Sequence, residues 1–227
     1  MSKEIIIISL GGSLIVPDEI DTLFLKKFKK IIISYLKTMR FAIICGGGMI
    51  ARRYMDAAQV VDRVGDEDRD WLGIHGTRLN AHLLRTIFRN HAHARIIKNP
   101  TEKLKWNEDI LMAAGWKPGC STDYDAVLLA KNLGCKTIIN LTNIDYVYTK
   151  DPRKFKDATR IEQIRWKDYL QLIPCKWKPG LSTPFDPVAS QYAAKHKMRV
   201  IILNGKKLER LGAALQKKKI IGTVIQP

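Results

Sequence analysis

The sequence predicts an α/β fold, a three-layer αβα sandwich with a mostly parallel central sheet. Apolar runs of strand length alternate with longer segments of helical period along the whole chain. The first run, residues 5–10, is continuous and β-branched, as expected of a parallel strand covered on both faces. Glycine-rich turns fall where strands end, at the edge where open α/β sheets bind ligands.

After that first strand, residues 19–37 place Leu23, Phe24, Phe28, Ile31, Ile32 and Tyr35 three and four apart, an amphipathic helix. Residues 41–45 read as a second strand and 49–64 as a second helix. A longer helix is expected over 70–90, with Leu79, Leu83, Leu84, Ile87 and Phe88 on one face. Short strands follow at 94–98 and 110–113, then a helix at 122–133 and a strand at 136–141. An irregular stretch leads to a helix at 186–196, a strand at 199–203, a helix at 207–216 and a closing strand at 223–225. Parallel strands joined this way need right-handed crossovers. A soft boundary near 142–150 divides one unit into two functional lobes, 1–141 and 142–227.

The chain has 227 residues, enough for one large domain or two small lobes with a well-buried core. With 39 Lys and Arg against 22 Asp and Glu, the net charge is +17, which favours anionic partners without naming them. The basic residues are spread along the chain, with the tightest runs at 26–30 and 217–219. No stretch interleaves them with stacking aromatics, so nucleic acid is not the expected partner. No apolar run reaches the roughly 18–20 residues that span a bilayer, and no secretory signal is visible, so no membrane association is expected. The cysteines at 45, 120, 135 and 175 match no zinc or disulfide spacing. Buried free thiols in a reducing cytoplasm are the expectation.

The chemistry gathers at five segments. Gly11-Gly12-Ser13 follows the first strand and Gly46-Gly47-Gly48 the second. Glycine lets backbone approach a ligand closely, and the next helix offers unpaired N–H groups to an anion. Each loop is also a tight strand-to-helix turn. Their pairing, with Arg52 and Arg53 just beyond, points to phosphate. Neither is a Walker loop, since no Gly-Lys-Ser/Thr closes it, and neither has the dinucleotide spacing. Arg52 lies on the first turn of its helix, where a guanidinium can fork two phosphate oxygens. The third segment, Pro118-Gly119-Cys120-Ser121-Thr122-Asp123, precedes a helix that Ser121 or Thr122 can cap. The fourth, 142–152, is polar and aromatic, and the fifth, 184–187, opens a helix with Asp186.

Taken in order, these segments resemble the amino acid kinase family, in the archaeal-like form of its uridylate kinase branch. The strings are SLGGSLI (9–15), GGGMIARRY (46–54), DWLGIHGTRLNAHLL (70–84), PGCSTD (118–123), TNIDYVYTKDP (142–152) and PFDPVAS (184–190). Isopentenyl phosphate kinases of this fold carry a His-bearing loop after the glycines, where this chain reads MIARRY. The resemblance implies a kinase that moves the γ-phosphoryl group of Mg-ATP to UMP, and a homo-oligomer, in this branch a hexamer. It implies that Gly11, Gly12 and Ser13 cradle the phosphates, with Gly47 toward UMP, Gly48 toward ATP, and Arg52 on the phosphates. Asp70 would accept from the UMP ribose, and Trp116, Lys117, Pro118, Gly119, Cys120, Ser121 and Thr122 would line the UMP pocket. Thr142, Asn143, Tyr148 and Asp151 would hold the ATP nucleoside. Asp123 and Asp186 would orient cationic groups and metal-bound phosphates, with Mg²⁺ carried on ATP and no protein metal site.

The chain departs from the family at two cationic positions. Many kinases of this fold place lysine on the first strand before the glycines, and here that residue is Ser9. Some archaeal-like relatives place it after the triple glycine, and here that residue is Met49. Tyr146 stands where the family usually has glycine. Arg52, Arg53, Lys117 and Lys150 are the candidate replacements for the missing ammonium. The alternatives are a weakened nucleotide-binding homologue, or a kinase of the same fold acting on another small phosphate or carboxylate.

Overall fold

The computed structural model describes residues 3–174 and 183–227, so Cys175 and Trp177 lie outside the described residues. Strand β1 (Glu4–Leu10) runs through a single helical turn, α1 (Gly12–Ile15), into α2 (Thr22–Ser34) and β2 (Met39–Cys45). Helices α3 (Gly48–Val61) and α4 (Asp66–Ile87) pack on each other before β3 (Ile110–Ala113), α5 (Thr122–Asn132) and β4 (Thr137–Thr142). Strands β5 (Val147–Tyr148) and β6 (Arg160–Ile161) form a small antiparallel ribbon, followed by β7 (Gln163–Arg165) and α6 (Trp166–Leu172). The chain closes with α7 (Pro187–Lys195), β8 (Arg199–Asn204), α8 (Leu208–Leu215) and β9 (Thr223–Gln226).

The main sheet has the order β3-β2-β1-β4-β8-β9-β7. Its first five strands are mutually parallel; β9 runs antiparallel to β8, and β7 parallel to β9. Register places Ile8 beside Ile43 and Leu10 beside Cys45, on the face that packs Phe28 of α2, Leu84 of α4 and Leu211 of α8. The other face carries Ile7 and Ala42 against Val127 of α5, Tyr169 of α6 and Ala189 of α7. Both faces are covered, which is why the central strands read as unbroken apolar runs. The predicted three layers are therefore present.

Local chemistry fixes the helix starts. Asp21 caps α2, Ser121 caps α5, and Asp186 caps α7 ahead of Pro187 at its first turn. Helix α4 begins at Asp66, four residues before the expected start. Asp66, Glu67 and Asp68 favour its amino end through the helix dipole, a signal carried by charge and not by apolar period. The segment expected as a strand at 94–98 makes only isolated bridges, Ala92 to Ile110 and Ile97 to Ala113. Strands β5, β6 and β7 and helix α6 lie in the stretch read as irregular. The strands have two or three residues each, too few for a period to register.

Candidate active site

The first two loops meet backbone to backbone. The Gly46 N–H donates to Leu10 O at 2.9 Å, and the Gly11 N–H to Leu141 O at 2.8 Å. A Cβ on Gly12 would stand 2.0 Å from Gly48 N, and one on Gly46 would stand 2.5 Å from Gly12 N. Gly48 also has φ +64, a conformation that favours glycine. The glycines thus serve close loop contact first, and the backbone N–H edge this creates is what an anion would meet. Arg52 projects into solvent from the start of the second turn of α3, one turn later than expected, with no side-chain hydrogen bond or ion pair among the described residues.

Helix α4 organises the opposite wall. Asn80 Nδ2 donates to Gly46 O at 2.8 Å and to Gly47 O at 3.0 Å, so one amide clasps the triple-glycine loop. Thr77 Oγ1 accepts the Gly115 N–H at 2.8 Å, and Arg78 donates to Trp116 O at 3.0 Å. Asp70 Oδ2 accepts the Gly119 N–H at 2.7 Å. The predicted acceptor loop is therefore brought against the predicted ribose-binding carboxylate. Burial raises the Asp70 pKa, and the Gly119 N–H opposes that shift. Lys117 Nζ sits 4.1 Å from the centre of the Trp116 ring. Cys120 is half-buried, and desolvation pushes its thiol up to about 11, so it stays protonated.

Between the walls lies a cluster of buried carboxyls. Ser9 Oγ donates to Asp123 Oδ1 at 2.9 Å, and the Asp186 N–H donates to Asp123 Oδ2 at 3.2 Å. One carboxylate thus ties β1, α5 and α7 together. Burial pushes the Asp123 carboxyl up to about 6 and the Asp125 carboxyl up to about 7. Asp125 accepts the Trp116 N–H with Oδ2, at 3.1 Å, while its Oδ1 has no partner among the described residues. Asp186 spends Oδ1 on the Ala189 N–H, at 2.7 Å. Its buried Oδ2 has no geometrically sound hydrogen bond; burial raises the Asp186 pKa, and the Ala189 N–H and the nearby Ser121 hydroxyl oppose that shift.

Beyond β4 a cleft of about 630 Å³ opens, lined by Thr142, Asn143, Tyr148 and Asp151 together with Thr183 and Pro184. The four residues predicted to hold the ATP nucleoside share this one cleft. Asp151 holds Arg153 in a two-pronged pair, at 3.1 and 3.0 Å, which lowers its pKa. The Arg160 and Arg210 guanidiniums stand 5.3 and 6.0 Å from the centre of the Tyr146 ring, and Asp145 pairs with Lys207 and Arg210 at 2.8 Å each.

Of the four cations considered as replacements, three are occupied. Arg53 pairs with Asp18, Lys150 with Asp157, and Lys117 covers Trp116. Arg52 is the one without a partner among the described residues. Met49 is partly buried against the core. Sequence reasoning missed Ser9 as a hydroxyl partner, Asp125 as a buried carboxyl, and the clasping roles of Thr77, Arg78 and Asn80. The i, i+3 pairing of Thr77 and Asn80 on one helix face was the available signal for those two.

Residues 4–204 match the model of the amino acid kinase family. The uridylate kinase of Pyrococcus abyssi is 32% identical over 225 residues, covering 98% of this chain and 99% of that one. The uridylate kinase of Methanoculleus marisnigri is 31% identical, covering 97% of this chain and 94% of the relative. Among solved structures, the uridylate kinase from Archaeoglobus fulgidus superimposes with a TM-score of 0.81 at 26% identity, covering 98% of this chain and 99% of that chain. The UMP kinase from Ureaplasma parvum gives 0.80 at 20% identity over the full length of both, a likeness of fold alone.

Proposed function

Because the chain belongs to the amino acid kinase family, and to its uridylate kinase branch, we propose that this site transfers the γ-phosphoryl group of ATP to UMP, giving ADP and UDP. The observation that supports the reading is that the paired glycine loops adjoin α4, which holds the loop 116–122 through Asp70, on one side and the end of β4, where the cleft opens, on the other. Residues 1–141 supply the acceptor side and 142–227 the ATP side. UMP enters against Asp70 and the loop 116–122, while the ATP nucleoside occupies the cleft at Thr142, Asn143, Tyr148 and Asp151.

The acceptor already carries a phosphate oxygen able to attack, so no strong general base is required. Catalysis is positioning plus neutralisation of charge on the moving group. Backbone N–H groups of Gly12, Ser13, Gly47 and Gly48 face the phosphates, beside Gly11, whose own N–H is spent on Leu141 O, and Arg52 supplies the mobile cation that Ser9 and Met49 do not. Asp123, held by Ser9, and Asp186 keep α5 and α7 in register beneath the reacting groups. The unpartnered Oδ2 of Asp186 suits Mg²⁺ carried on ATP, since a hard cation prefers carboxylate oxygen. Asp186 would help to hold such an ion, which would supply neutralisation of phosphate charge.

No helix among the described residues is long and apolar enough to cross a membrane. The reaction belongs in the cytoplasm, where Cys45, Cys120 and Cys135 remain free thiols. Self-association runs through the exposed apolar residues Leu23, Tyr54, Val60, Val61, Trp71 and Leu79 of α2, α3 and α4, in a homo-oligomer of hexameric form. Phosphorus NMR of UMP with Mg-ATP and the protein tests the activity. Growth of UDP resonances is expected, and unconsumed UMP would overturn the reading.

A further inference from the structure

A cavity of about 710 Å³ lies at the opposite end of the sheet from the active site. It opens at the amino ends of β1, β4 and β8, between the turn after α5 and the turn after α8. Strand β1 has seven residues, so the two ends stand about 20 Å apart. The floor is apolar, formed by Ile6, Ile139, Ile201, Leu215 and Ile220. The rim is cationic: Lys3, Lys136, Arg199, Lys217 and Lys218, with Glu4 the one acid.

Pairing accounts for only part of that charge. Lys3 binds Asp109 at 2.6 Å and Lys217 binds Glu4 at 3.0 Å. Lys136, Arg199 and Lys218 have no side-chain hydrogen bond or ion pair among the described residues, and all three are exposed. Backbone geometry fixes part of the rim. The N–H of Lys217 bonds Ala214 O and that of Lys218 bonds Ala213 O, closing α8 with Lys217 at φ +56. The equivalent turn after α5 uses Gly134 at φ +71, the residue that this conformation favours. Both helices end here, and their carbonyl ends attract cations. Three unpaired cations around one apolar floor go beyond that attraction, and they converge on a space of ligand size.

We propose that this cavity is a second ligand site, which takes a small organic anion with an apolar body, its phosphate, sulfonate or carboxylate held by Lys136, Arg199 and Lys218. The site goes beyond the phosphoryl-transfer reading and does not rest on it. Anilinonaphthalene sulfonate, an apolar body bearing one sulfonate, is the probe. Titration of the full chain should give saturable, blue-shifted fluorescence. Replacing Arg199→Ala together with Lys218→Ala should weaken that binding at least about tenfold through loss of two charge-assisted contacts, and Arg52→Ala at the far edge should leave it unchanged.

Cys135 lines the cavity and Cys120 lies in the acceptor loop, which gives a local readout in the unmodified protein. Saturating dye should slow alkylation of Cys135 by N-ethylmaleimide severalfold, read by peptide mass spectrometry, and spare the rate at Cys120. Unchanged dye affinity in the double variant, or an unprotected Cys135 at saturation, would overturn the proposal.

Discussion

Ser9 donates its hydroxyl to Asp123, at the position where many kinases of this fold place an ammonium. The buried carboxyls around it consequently have weak charge compensation, and burial moves Asp123 and Asp125 from 3.8 up to about 6 and about 7. A carboxyl with a raised folded pKa binds protons that the unfolded chain has already released. Stability should therefore fall as pH rises from about 4 to about 7, and level off above. Asp125→Asn keeps an acceptor for the Trp116 N–H and removes the buried charge. At pH above 7 it should raise stability by about 2 kcal/mol and flatten the pH profile of Tm, as followed by circular dichroism. A variant less stable than the parent at that pH would show that the charge is compensated. Arg52 should carry the electrostatic load at the phosphates. Arg52→Ala should lower kcat by about 10²-fold or more, as loss of one positioned donor does, with folding unchanged in steady-state kinetics and urea unfolding.

The glycine loops and α4 work as elements, not as single residues. Gly12, Gly46 and Gly48 let two strand ends touch, and Asn80 clasps the second loop from the side. Gly46→Ala would place a Cβ 2.5 Å from Gly12 N, where neither backbone can yield cheaply. Urea unfolding should show a loss of about 3 kcal/mol or more, together with lost turnover. The long parallel elements were legible because each buries a face: continuous runs for β1 and β2, and a 3.6-residue period for α2. The start of α4 was not, because it is set by Asp66, Glu67 and Asp68 against the helix dipole. The glycine pairs were legible as a ligand edge, but their contact with each other was not, since it joins residues of two separate loops. For the same reason Ser9 looked like a missing lysine, while its partner Asp123 lies 114 residues away.

Over the whole molecule, one sheet runs through both proposed lobes, with β4 beside β8, so the proposed acceptor and donor sites share one floor. The excess of basic residues suits a protein that joins two polyanions at one edge, and the cationic rim at the other edge accounts for part of the remainder. Exposed Val60 and Val61 on α3 belong to the surface proposed for self-association. Val60→Glu with Val61→Glu should shift sedimentation toward smaller species; unchanged sedimentation would place the contact elsewhere. The most direct measurement is ADP release from Mg-ATP by the purified protein, against UMP, CMP, dUMP, AMP and isopentenyl phosphate. Turnover with UMP is the predicted result, altered only modestly by Met49→Lys because Arg52 already supplies the cation. Absence of turnover with every acceptor in the native protein, with turnover regained only in Met49→Lys, would contradict the account.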